Sequence, residues 1–192
     1  MAKKNEFKPD RQRSDNMGKL LLTKKQQLDL TRWTLFGIVC LAGLIVQDVA
    51  VYRIRLWGVC ADIVPCLIMM VAVMQGAESG SVFALVASCL YYFSGSAAGA
   101  YVIPLITAPA ILLGILRQGS LRKGFFTILL CSAVGMAAYE LGMFGIGLFL
   151  RLTTVERFSS MLITAGLSLA VVPVAYPVLL AIGKIGGETW TE

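Results

Sequence analysis

One acid stands alone in an apolar run. Glu140 lies within the stretch from about 124 to 149, and no Lys or Arg of that stretch is near enough to neutralise it. An ionised carboxyl surrounded by hydrocarbon is expensive, so such a group turns toward protein or water. Glu140 is therefore expected to be protonated or hydrogen-bonded inside a helix bundle, to Tyr139, Tyr101 or another hydroxyl. Two roles stay open for it, a buried polar clasp or a contact with a partner or polar substrate. Asp62 has company: with Asp48, Arg53 and Arg55 it flanks a short polar connection, where ion pairing at a membrane surface accounts for Asp62, Arg53 and Arg55 alike. Glu78 sits in a turn and asks for no explanation.

The remaining chemistry is thin. Five cysteines, at 40, 60, 66, 89 and 131, lack the short paired spacings that hold a metal, and the chain has no histidine to complete a site. Most are read as small packing residues, with a disulfide between Cys60 and Cys66 as the alternative. Without histidine the commonest general base and every His-containing triad are missing. The sequence thus nominates no catalytic residue, no cofactor and no metal.

The elements that hold these groups are oily. The 192 residues are 57% hydrophobic and 15% charged, with a mean hydropathy of +0.77, more apolar surface than a soluble domain of this size can hide. A span needs roughly 20 mostly apolar residues to cross a bilayer core. Candidates run from about 34 to 52, 59 to 75, 79 to 96, 99 to 116, 124 to 149 and 158 to 182. The second is short, with Pro65 near its start, and is expected to enter as a tilted or partly interfacial helix. Placed on this layout, thirteen of the 17 Lys and Arg fall on one side and four on the other, which puts both termini in the cytoplasm. The expected fold is an all-α integral membrane protein, a six-transmembrane-helix bundle over 33–184. A basic, flexible cytoplasmic tail over 1–32 precedes it and a short cytoplasmic C-terminus over 185–192 follows.

That tail is rich in Lys, Arg, Gln and Asp and cannot bury enough surface to fold alone. Its charge orients the protein and attracts anionic lipid, at roughly 1 kcal/mol per Lys or Arg near the surface. A docking arm for a cytoplasmic partner is the alternative; nucleic acid is not an expected partner, because topology explains the excess charge. Within the spans, Gly76, Gly80, Ala84 and Ser88 recur every four residues, and Ala138 and Gly142 repeat the pattern later. Such small-residue faces let helix backbones approach closely in lipid, and so predict a helix neighbour, internal or from another protein. Pro104 and Pro109 in the fourth stretch, and Pro173 and Pro177 in the sixth, should bend their helices.

Leu56 to Gly58, Asp62 and Pro65, the apolar run to Gln75, Gly76 and Gly80, then Ser94-Gly95-Ser96-Ala97-Ala98-Gly99 and the proline-bearing fourth stretch together resemble the rod shape-determining membrane protein MreD family, over roughly 34 to 183. The chain keeps Ser94, Gly95 and Gly99 but has Tyr91 and Tyr92 where that family often places an Asp. The resemblance implies a non-enzymatic plasma-membrane subunit of the bacterial elongation machinery. It would bind an MreC-like protein and, through it, MreB, RodA and a penicillin-binding transpeptidase. The competing expectation is a substrate-binding subunit of an energy-coupling factor vitamin transporter, of similar size and six-helix design. In that case Tyr91, Tyr92, Tyr101, Tyr139 and Glu140 would furnish a small site.

Overall fold

The computed structural model describes residues 24–49, 53, 58–120 and 124–185. Among them the chain is all helical: α1 (Lys24–Val49), α2 (Ile63–Gln75), α3 (Ala77–Phe93), α4 (Val102–Ser120), α5 (Phe125–Phe149), α6 (Phe158–Leu169) and α7 (Val172–Gly183). Helices α1 and α5 are long and apolar enough to cross a membrane, and α6 with α7, bent by 41° at their junction, counts as a third if taken as one broken span.

The structure moves several boundaries. Helix α1 starts at Lys24, so residues 24–32, assigned from sequence to the tail, are helical; their Lys, Gln and Leu residues are good helix formers. Arg32 is buried, 3.6 Å from the Asp29 carboxylate and over the Trp33 ring. Residues 1–23, Arg55 and 186–192 lie outside the described residues. The sixth stretch breaks in two at Ala170 and Val171 because Pro173 has no N–H for the Leu169 carbonyl, while Val174 and Ala175 both turn to the Val171 carbonyl instead.

The largest correction concerns α2. Expected as a tilted or interfacial helix, it is instead the axis of the molecule, with 11 of its 13 residues buried. Its side chains are apolar on every side, the pattern of a helix enclosed by others. Pro65 does not disturb it, because a proline in the first turn lacks only a donor that has no partner within the helix.

Four elements meet at one end of α2. Gly76, with φ of 88°, turns the chain into α3 within a single residue, a conformation that favours glycine. Gly80 then lies against the backbone of Ala72, and Gly114 of α4 lies against the backbone of Gly76 and Ala77. Gly183 of α7 reaches the methyl of Met74 at the same level. Arg117 of α4 closes this end by donating to the Val73 carbonyl at 2.8 Å and to that of Met74. A cation on the last carbonyls of a helix also meets the negative end of its dipole. Replacing Arg117 with Met should therefore cost about 2 kcal/mol, the scale of buried carbonyls deprived of a charged donor. Reversible unfolding in a denaturing detergent measures it; an unchanged midpoint would show that the cap contributes nothing.

Candidate functional site

At the other end α2 stops short. Gly135 of α5 packs at the level of Met69, and five residues further, about 7.5 Å, Glu140 reaches the level of the head of α2, with about 13 Å of α5 still to run. Ser168 meets that head from α6, ten residues or about 15 Å after that helix begins. The head of the central helix is therefore sunk below the far ends of α5 and α6.

A helix N-terminus leaves four N–H groups without partners, and here side chains of other helices supply them. The Asp62 N–H donates to Ser168 Oγ at 2.7 Å, and the Val64 N–H donates to Gln47 Oε1 at 2.9 Å. Pro65 has nothing to donate. The same Gln47 amide donates through Nε2 to Asp62 Oδ1 at 3.0 Å and to the Tyr91 hydroxyl at 3.2 Å, and Tyr91 in turn donates to Asp62 Oδ1 at 3.3 Å. Tyr139 adds a second phenol at that carboxylate and beside Tyr91. Gln47 and Ser168 are fully buried, and Tyr91 and Tyr139 almost so. Ser168 completes itself by donating to the Thr164 carbonyl.

Glu140 lies beside this network without joining it. The residue is 8% exposed, its Oε1 is sealed from solvent and meets no donor, and the nearest charge that bears on it is the Asp62 carboxylate. The hydroxyl expected from Tyr139 or Tyr101 does not reach it. The Tyr139 phenol is engaged at Asp62, and the Tyr101 ring lies against Gly99.

Asp62, expected in ion pairing with Arg53 and Arg55, takes part in an inward network. Arg53 is exposed, and among the described residues no Lys or Arg lies within ion-pairing distance of Asp62 or Glu140. Of the five groups offered for a small site, Tyr91, Tyr139 and Glu140 converge, whereas the Tyr92 ring lies tilted beside that of Phe93 and the Tyr101 ring lies against Gly99. Gln47 and Ser168 were not singled out from the sequence. A lone amide closing an apolar run, as Gln47 does, was the signal to follow.

The small-residue positions face this chain's own helices. Gly80 packs on α2, Ala84 and Ser88 are fully buried along α3, Gly142 receives the Leu105 side chain of α4, and Gly76 is a turn residue. Among the described residues one open surface is a groove of about 530 Å³ between α1 and α3, lined by Trp33, Gly37, Cys40, Val82, Phe83 and Ala87 among others. No protein-family model, curated protein or solved structure matches the chain.

Proposed function

We propose that this chain is a non-enzymatic scaffold subunit of a bacterial cell-elongation complex. It crosses the plasma membrane six times with both termini in the cytoplasm and grips the single span of an MreC-like partner between α1 and α3. Through that partner it acts with MreB, RodA and a penicillin-binding transpeptidase, while its basic N-terminal residues meet anionic lipid.

The observation that carries this reading is the groove. Its wall is almost wholly apolar, and Gly37, Ser79 and Ala87 keep its floor low. In lipid, where apolar surface alone drives no association, small residues mark the places where a second helix can come close. The stripe through Gly80 and Ala84 is occupied within the chain, so a partner helix finds its small residues here. The sequence resemblance to MreD supplies the identity of that partner.

The transporter reading draws on a different feature, the polar network around Asp62. Its Gln47 and Tyr91 are buried and bonded to one another and to Asp62, which leaves an organic vitamin few free donors there.

Gly37 offers a direct test. A Cβ there meets nothing within 4 Å, and leaving glycine in a helix gains about 1 kcal/mol of helix propensity. Gly37→Leu should therefore keep or raise the melting temperature while filling the groove. Capture of a full-length MreC-like protein in detergent is expected to fall about tenfold or more, a loss of about 1.4 kcal/mol. Undiminished capture by G37L would remove the groove from the account, and no capture by the native chain would remove the scaffold.

A further inference from the structure

Asp62 and Glu140 form a pair whose charges no Lys or Arg among the described residues balances. Asp62 accepts from Gln47 and Tyr91, with Tyr139 at the same carboxylate. Glu140 has a sealed oxygen with no donor and stands in the field of that carboxylate. Two neighbouring negative charges amid apolar side chains cannot both persist uncompensated.

Among the described residues the remaining surroundings are neutral. The titratable groups that bear on Glu140 or share its surroundings, among the described residues, are Asp62 at the head of α2 and its own neighbour Tyr139. Around Asp62 stand the neutral amide of Gln47 from α1 and the Ser168 hydroxyl from α6, and the Leu105 side chain of α4 packs at Gly142, two residues on from Glu140. Beside Ser168 the α6–α7 break leaves the Leu169 carbonyl without its helical donor, since Pro173 has none to give. Carbonyls at a broken helix, set beside a buried carboxylate, are the groups with which membrane proteins hold small cations.

We propose that the Asp62–Glu140 pair, at the sunken head of α2 beside the α6–α7 break, is a binding site for one monovalent cation, a proton or an alkali metal ion. A divalent ion is disfavoured by the donor set: among the described residues no third carboxylate, cysteine or histidine joins the pair. Gln47 and the two phenols hold Asp62 in place, and Glu140 is the ligand left free for the incoming charge. The site stands on these contacts alone and does not depend on the scaffold reading.

The test uses the full chain in detergent, with thermal unfolding followed in sodium chloride, potassium chloride or N-methylglucamine chloride at equal ionic strength. Each is repeated at mildly acidic and mildly alkaline pH. If the ion is an alkali metal, sodium or potassium should raise the melting temperature by about 3 °C or more over the bulky organic cation, as a ligand held only by the folded state does. If it is a proton, the salts are equivalent and acidification produces the rise. Either response must vanish in Glu140→Gln, which keeps the shape and removes the charge, and survive in the exposed control Glu156→Gln. A native chain whose melting temperature is indifferent to both cation and pH overturns the site, whether or not E140Q folds. So does a response that E140Q retains.

Discussion

Gly80→Ala is expected to destabilise the protein by about 3 kcal/mol or more, the upper end of what overpacking costs, and Gly80→Leu to prevent assembly of the α2–α3 pair. The reason is geometric. A Cβ on Gly80 would stand 2.5 Å from the carbonyl oxygen of Ala72, 2.9 Å from its Cα and 3.0 Å from its carbonyl carbon. These are backbone atoms of a helix enclosed on all sides, so no rotamer change can yield; only separation of α2 from α3 makes room. Separation would strain the single-residue turn at Gly76, whose positive φ already confines the substitutions it accepts, and it would pull Val73 and Met74 from Arg117.

Gly37→Ala is the matched control: the same chemistry in an open position should leave stability unchanged or slightly raised. Detergent-induced unfolding of the two variants side by side measures the contrast. Equal midpoints would mean that the close approach of α2 and α3 is not what holds them.

That contrast also shows what the sequence could convey. Recurrence of Gly80, Ala84 and Ser88 signalled a close helix neighbour, but small residues read alike whether the neighbour is internal or foreign. Gly37, with no repeat around it, gave no sign that it lies in the open groove. The six apolar stretches were legible because hydropathy marks any segment that avoids water. Their depth in the molecule was not, because in lipid an outward-facing side chain and a central one are equally apolar.

Among polar groups, Glu140 was legible because a lone acid in an apolar run has few explanations. Asp62 was read with Arg53 and Arg55, its neighbours in sequence, of which Arg53 is exposed and Arg55 lies outside the described residues. Its actual companions come from 15 and 29 residues away, with Ser168 106 residues away. Contacts that remote are set by which helices surround α2, which no local pattern states.

Gln47 holds the key position in that arrangement, and Gln47→Leu is expected to cost about 3 kcal/mol. The substitution keeps the size and removes both functions of the amide. The Val64 N–H loses its acceptor, and Asp62 and Tyr91 each lose a donor. Buried groups left without partners cost about 1–3 kcal/mol each, with water unable to substitute at a residue wholly closed to solvent.

A reciprocal exchange separates this network from simple packing. Gln47→Glu alone still accepts from Val64 but sets a second carboxylate against Asp62, and should be as harmful as Leu. Adding Asp62→Asn restores a donor facing the new acid without changing the charge of the cluster, so the double variant should recover at least about 1 kcal/mol relative to additivity. A thermodynamic cycle over the four proteins, measured by reversible unfolding, gives that coupling directly. Additive losses would mean that Gln47 fills space beside Asp62 without holding it, and the head of α2 would then need another anchor.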